Sequence, residues 1–272
     1  MAHDRIESYA HRDEDPWREF TRFTQARIGL GRAGSSLPTR ALLDFQLAHA
    51  RARDAVHDAL DTEALAHQLR ERGWETSVLR SAAPDRQTYI QRPDLGRILD
   101  DASTSLLKSR QPAAYDAVFI VADGLSACAI ERHTAALLDH VMPMLAEVRW
   151  HLAPVCVVAQ GRVAIGDEIG ALLGAKLSVI LIGERPGLTA PDSLGIYLTW
   201  DPLPGRTNAQ RNCISNVRPQ GLSYDLAARK LFYLMTAARQ RRLSGVELKD
   251  EAPMLDGTNG SGVTNPQAPG AD

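Results

Sequence analysis

Chemistry needs particular side chains brought close together, and this sequence offers few such groupings. Its eight histidines are scattered, and no HExxH, GxSxG or GxxxxGKS/T pattern occurs, so a zinc-peptidase helix, a nucleophile elbow and a P-loop are all missing. No histidine is spaced with acids as a facial metal triad would need. Cys128, Cys156 and Cys213 lie far apart without CxxC spacing, which argues against a zinc cluster and against a disulfide framework. Asp167 and Glu168 form a carboxylate pair, but adjacent residues on a helix point in different directions. Acids in the first helical turn are ordinary complements of the dipole, so the pair reads as structural, and losing Asp167 is expected to cost about 0.3–1 kcal/mol. No residue is assigned a catalytic role and no metal ligand set is assigned. A large flat cofactor asks for something else: backbone groups, small side chains and a few polar anchors on loops.

One glycine pattern invites a nucleotide. Gly29-Leu30-Gly31-Arg32-Ala33-Gly34 matches GxGxxG, which lays a dinucleotide pyrophosphate on a helix N-terminus. The context is wrong. A fingerprint of this kind follows a buried strand, whereas Thr21 to Arg27 is polar and poor in β-branched residues, and the acid expected ~20 residues later falls inside a helix.

The elements that could position a cofactor lie further along. From Pro154 to Gly187 the sequence reads as strand, helix, strand: Val155 to Ala159 is a short β-branched run, Ile165, Ile169, Leu172 and Leu173 recur at helical spacing, and Leu177 to Ile182 is a second apolar run. A helical crossover makes those strands parallel. Upstream, Tyr115 to Ala122 is another buried strand, followed by Asp123-Gly124-Leu125-Ser126 and a helix to about His140. Ligands of open parallel sheets bind beyond the carboxyl ends of the strands. Asp123 to Ser126, Gln160 to Val163 and Gly183 to Gly187 are therefore the loops that matter. Ser193 to Thr199 reads as a fourth strand, Asn212 to Arg218 as a further sheet-edge loop, and Leu226 to Arg241 as a closing helix.

The first half is mainly helical. Asp15-Pro16-Trp17 is a helix start with Asp15 as cap, placing Trp17, Phe20 and Phe23 on one face. A long helix over Arg40 to about Leu60 has Leu42, Leu43, Phe45, Leu47, Ala50 and Val56 available for burial. Another spans Thr62 to Arg72 and closes at Gly73. Thr76 to Ser81 and Gln87 to Gln91 read as short extended segments, and Asp94 to Ser109 as a helix. The fold class expected is α/β: a Rossmann-like parallel sheet with flanking helices, preceded by a mainly helical N-terminal region. Its divisions are an arm over 1–26, helices over 27–112, the sheet domain over 113–245, and a Gly-, Pro- and Asn-rich disordered tail over 246–272.

Composition narrows the partners. A formal charge of -2 and a pI near 6.5 leave no basic footprint for nucleic acid or an anionic membrane. No apolar run approaches the ~18 residues of a membrane span. The polar amino terminus has no secretory apolar region, so a soluble protein of a reducing cytoplasm is expected.

Several longer motifs carry a resemblance. Arg27 to Gly34 with Leu37-Pro38-Thr39 and Leu43 to Ala50, then Asp123 to Ser126, Gln160 to Asp167, Gly183 to Leu188, Asp192 to Gly195 and Asn212 to Pro219, together resemble the small (light) subunit of ethanolamine ammonia-lyase, in the same order. The resemblance runs from about Phe23 to Arg242. It implies an adenosylcobalamin-dependent enzyme that converts ethanolamine to acetaldehyde and ammonia by radical chemistry, with the substrate site in a large subunit. It further implies that this chain covers the cofactor at the subunit interface of a large hetero-oligomer and is inactive alone. Carried over motif by motif, the family's cobalamin contacts fall on Val163, Glu184 and Cys213. Val163 offers apolar surface to a corrin, Glu184 an acceptor for its amides, and Cys213 a small contact rather than a nucleophile, since no base is paired with it. The DxHxxG sequence by which some cobalamin proteins give a histidine to cobalt is absent, so the cofactor's own dimethylbenzimidazole is expected to stay the lower ligand. In some relatives the amino terminus directs packaging into a bacterial microcompartment, and residues 1–22 leave that open.

Two other classes stay open at this point. A stand-alone NAD-binding oxidoreductase would use Gly29, Gly31 and Gly34 and bind its nucleotide without a partner. A non-catalytic interaction module would co-purify with a partner yet bind no corrinoid.

Overall fold

The computed structural model describes residues 15–110 and 113–249, so the start of the expected arm (1–14), with most of the segment considered for packaging, and most of the expected tail (250–272) lie outside the described residues. A 3-10 helix, Pro16–Phe23, comes first, and the Asp15 carboxylate accepts from the Trp17 amide at 2.9 Å as its cap. The chain then runs through α1 (Thr39–His57), α2 (Thr62–Glu71), β1 (Thr76–Arg80), α3 (Arg86–Gln91), α4 (Asp101–Ser109), β2 (Ala117–Ala122), α5 (Ala127–Glu147), β3 (Val155–Ala159), α6 (Ile165–Leu173), β4 (Leu177–Gly183), β5 (Leu194–Trp200), β6 (Arg211–Val217) and α7 (Tyr224–Arg241).

Six strands make one sheet in the order β1-β3-β2-β4-β5-β6. The first four are parallel, with Val78 beside Val157, Val121 beside Val157 and Ile120 beside Ile180. The expected α/β sheet with flanking helices is present, and β5 and β6 add to it antiparallel. The reversal follows from chain length: residues 184–193 are too few for the dozen or more that a parallel crossover takes. β1 comes from the mainly helical region yet joins β3, so that region and the later one share this sheet.

Alternation along the strands sorts two cores. Phe119, Val121, Val157, Val179 and Leu181 face one side, packed with Leu69 of α2, Leu137 and Leu138 of α5 and Leu231 of α7. Val118, Ile120, Cys156, Val158, Ile180 and Ile182 face the other, packed with Leu107 of α4 and Ile165 and Ile169 of α6. Central strands buried on both faces are the reason these runs read as continuously apolar rather than alternating.

Four expectations need correction. Gln87 to Gln91 is helical, because Asp85 accepts from the Thr88 amide at 2.7 Å and starts α3. Asp94 to Ser109 is not one helix: a 3-10 turn over Leu95–Arg97 ends at Ile98, and Asp100 restarts the chain as α4 by accepting from the Ser103 amide at 2.7 Å. Asn212 to Arg218 is mostly an edge strand, β6, paired with β5. α1 also buries far less than its apolar content suggests, since Ala55 is its buried residue while Leu42, Leu43, Phe45 and Leu47 are exposed. Among the described residues no helix is long and apolar enough to cross a membrane.

Candidate functional site

The topology points to one place on the sheet. β2 leads through α5 to β3 on one face of the sheet, and β3 leads through α6 to β4 on the other, so the connections part over the carboxyl ends of the adjacent strands β2 and β3. A crevice at such a divergence is where open α/β sheets hold ligands. Here it is a cavity of about 460 Å³ lined by Tyr89, Gly124, Val163, Glu184, Arg185 and Tyr197, among others.

The strand ends are tied to each other by their own backbone. The Leu125 amide donates to the Gly183 carbonyl at 2.9 Å, joining the ends of β2 and β4. That approach requires glycine at 124, where φ is +55° and a Cβ would lie 2.2 Å from the Gly183 oxygen. The Asp123 carboxylate accepts from the Gly161 amide at 3.0 Å and so joins β2 to β3. Gln160 turns the end of β3 at φ +61°, a conformation uncommon for a side chain other than glycine.

α3 clamps this edge. Arg86 donates to Asp123 Oδ2 at 3.0 Å, to the Gly124 carbonyl at 2.9 Å and, from Nε, to the Val56 carbonyl at 2.7 Å just before α1 ends. Tyr89 is buried between two guanidinium groups, Arg162 at 4.2 Å and Arg86 at 4.9 Å from its ring centre, and its hydroxyl donates to the Gly161 carbonyl at 2.9 Å. Burial, with the Asp123 charge nearby, raises the Tyr89 phenol and keeps it neutral. Burial likewise pushes the Asp123 carboxyl up to about 6, against the opposing pull of Arg86 and of the backbone amides.

The residues singled out from the sequence fall as follows. Val163 and Glu184 line the same cavity. The Glu184 carboxylate is fixed by the chain itself: it accepts from the Ser193 hydroxyl and from the Asn216 amide at 3.2 Å. Gly195 leaves room for it, since a Cβ there would come 3.0 Å from Glu184 Oε1. Cys213, expected in a loop, lies within β6 beside Tyr197 of β5. It joins the site through Tyr197, its cross-strand neighbour, whose side chain lines the cavity. Burial raises the Cys213 thiol and pushes the Tyr197 phenol up to about 12, so the pair is neutral at pH 7 and Cys213 lacks a nucleophile's thiolate.

Gly29, Gly31 and Gly34 are elsewhere in the chain, in a loop that follows a 3-10 helix rather than a strand. Asp167 is not the simple dipole complement expected. It is 1% exposed and paired twice with Arg211, at 2.6 Å each, while Glu168 accepts from the Leu99 amide at 2.8 Å. Arg86, Tyr89 and Tyr197 were not singled out from the sequence. The signal for Arg86 and Tyr89 was the Asp85 cap beside them, which marks a helix in a segment otherwise read as extended.

Residues 14–249 match the sequence model of the ethanolamine ammonia-lyase light chain (EutC). The ethanolamine ammonia-lyase small subunit of Azotobacter vinelandii is 58% identical over 257 residues, covering 93% of this chain and 95% of that one. Those of Pseudomonas fluorescens Pf0-1 and Pseudomonas aeruginosa LESB58 are 59% identical over 242 residues and 57% over 250, covering 88% and 90% of this chain and 88% and 91% of theirs.

Proposed function

The chain belongs to the ethanolamine ammonia-lyase light-chain family, and from that premise we propose that it covers adenosylcobalamin at an interface with the large subunit, which carries the substrate site. The observation that carries this reading is that Val163 and Glu184, distant in sequence, line one cavity where the strand connections diverge. Cavities of this kind combine apolar walls with a few fixed polar groups. The apolar share comes from Val163, Leu125, Ile182 and the ring of Tyr197, and Glu184 is a preset acceptor.

Unmet hydrogen-bonding capacity at this edge fits a large amide-rich ligand. Arg86 Nη2, Gln160 Oε1 and Arg162 Nε are buried without partners. A buried polar atom left unpaired costs about 1–3 kcal/mol, and of these three Arg162 Nε belongs to a residue that lines the cavity, so it is the donor that a ligand there could satisfy. When bound, adenosylcobalamin supplies the radical chemistry of the deamination. The chain's own contribution is to hold the cofactor's periphery and exclude water: Glu184 accepts from side-chain amides of the corrin, Val163 packs against its apolar face, and Cys213 with Tyr197 floors the adjoining part of β5 and β6.

A large partner is supported by the surface as well. Trp17, Phe20 and Phe23 are exposed, as are Leu37, Leu42, Leu43, Phe45 and Leu47 of the segment entering and forming α1. Large apolar side chains exposed in this number are what a protein partner would cover.

The test is reconstitution. The isolated chain, given saturating adenosylcobalamin and ethanolamine, should release no acetaldehyde above a heat-treated control, and turnover should appear on mixing with the large subunit. Acetaldehyde from the chain alone would overturn the assignment of the substrate site to the partner.

A further inference from the structure

A second cavity, of about 400 Å³, adjoins the first, and Arg162 and Val163 line both. Its walls are unusually rich in guanidinium groups: Arg97, Arg162, Arg206 and Arg211, with Thr207 and Asn208 supplying polar side chains. Two of the four cations are neutralised. Arg211 is paired with Asp167 at 2.6 Å and Arg206 with Asp201 at 2.7 Å. Arg97 and Arg162 have no carboxylate within 4.0 Å among the described residues, so the cavity keeps an excess of positive charge. Donor capacity is also left over. Arg162 gives one bond to the Tyr89 carbonyl at 3.1 Å while its Nε has no acceptor, and the Nε of Arg211, a residue 8% exposed, has none either.

The start of α6 borders this cavity but is not what makes it anion-binding. The amides of Ile165, Gly166 and Asp167 already donate to the carbonyls of Arg162, Val163 and Ala164, and Asp167 and Glu168 sit in that first turn. The attraction comes from the arginines. Guanidinium groups present paired donors that match the two free oxygens of a phosphodiester better than they match a neutral amide.

We propose that this arginine-lined cavity receives a phosphodiester, that of the nucleotide arm of the corrinoid whose ring occupies the adjoining cavity. The proposal rests on the cofactor reading above. Arg162 is the shared wall: its guanidinium stacks on Tyr89 beneath the ring's cavity and faces the phosphodiester's cavity beside it. Arg97 and Arg162 supply the uncompensated charge, while Arg206 and Arg211 are held in place by their own carboxylates.

The experiment uses the chain assembled with the large subunit and reads binding by equilibrium dialysis against cyanocobalamin and cyanocobinamide, the second of which lacks the phosphate, ribose and base. Arg97→Gln should weaken cyanocobalamin about tenfold or more, the worth of a charged hydrogen bond, and leave cyanocobinamide unchanged, whereas Arg162→Gln, whose residue also lines the ring's cavity, should weaken cyanocobalamin more than cyanocobinamide. Inorganic phosphate at millimolar concentration should compete with cyanocobalamin and not with cyanocobinamide. Arg97 is exposed and makes no ion pair among the described residues, so Arg97→Gln carries the test if Arg162→Gln, which loses the stack on Tyr89, fails to fold. Equal losses for both corrinoids, or loss for neither, would overturn the proposal. Radiolabelled phosphate retained together with cyanocobalamin would also overturn it, by giving the cavity to free phosphate. A wild-type complex that bound neither corrinoid would sink the cofactor reading itself and this assignment with it, whereas equal affinity for the two would sink this assignment alone.

Discussion

Glu184 shows how far neighbouring groups can fix a single side chain. A free glutamate at a strand end would sample many rotamers, whereas this one is held by the Ser193 hydroxyl and the Asn216 amide, with Gly195 clearing the space beside it. Preset acceptors lose little conformational freedom on binding. Glu184→Ala in the assembled enzyme should therefore weaken cobalamin by roughly ten- to a hundredfold, the equivalent of ~1.5–3 kcal/mol, with a smaller effect on turnover at saturating cofactor. Ser193→Ala, which only loosens the carboxylate, should weaken it less. Cofactor titration by activity checks both, and an unchanged half-saturation in Glu184→Ala would show that the carboxylate does not meet the cofactor. Asp123 makes a pH prediction. Its folded carboxyl, raised by burial to about 6, holds a proton that the unfolded chain, with a pKa near ~3.9, has already lost. Between those values the folded state binds more protons, so this residue's contribution to stability falls as pH rises from about 4 to about 6 and is level above. Asp123→Asn should remove that downward slope from a urea-denaturation profile across the same window; an unchanged slope would refute it. The loops that carry Val163 and Glu184 were legible in the sequence because strand ends can be read from apolar runs stopped by glycine, whereas the choice of those two residues came from the family resemblance. Arg86 and Tyr89 were not, because α3 has only 6 residues, too few to show a helical period.

At the scale of elements, α6 is locked to the antiparallel edge of the sheet by one buried ion pair. Asp167 enters from the first turn of α6, and Arg211 from the first residue of β6, where it also donates to Thr199 at 2.9 Å and to the Arg206 carbonyl at 2.9 Å. The small cost expected from the sequence assumed a solvated acid at a helix start. With both groups almost fully buried, Asp167→Ala leaves the Arg211 charge unpaired in the interior, which typically costs about 3–5 kcal/mol. A denaturant midpoint that shifts by less than ~1 kcal/mol would return Asp167 to the role of a dipole complement. The double substitution Asp167→Leu with Arg211→Met, which leaves no orphaned charge, should cost less than Asp167→Ala alone. The pairing was invisible in the sequence because its partners are 44 residues apart. β6 itself was unreadable for a related reason: its buried residues, Arg211, Ile214 and Val217, recur every third position, so neither the alternation of a half-buried strand nor a continuous apolar run appears. The central strands carry that run because helices cover both of their faces.

The whole molecule divides its surface between two tasks. The sheet edge gathers fixed polar groups and an arginine-rich cavity, while the amino-terminal part presents apolar side chains that no described element covers. The sequence showed α1 as a helix with apolar residues on more than one side, and the natural expectation was burial within the same chain. The structure sets most of that helix outside the core, with Leu43 57% and Leu47 51% exposed. These two lie one turn apart, so they share a face, and Ala50 continues it. A solvent-facing stripe of this kind contributes little to the stability of the chain that carries it, because its apolar area stays in water. It can contribute much to association, where burying a leucine is worth about 1.5–3 kcal/mol. The pair Leu43→Glu with Leu47→Glu should then leave the thermal midpoint of the isolated chain within a few degrees of wild type, yet lower its affinity for the large subunit by at least a hundredfold, measured by sedimentation or by the concentration needed to restore turnover. If the double variant assembles like wild type, α1 is not the docking face. If it unfolds the isolated chain, the face is covered within this chain after all.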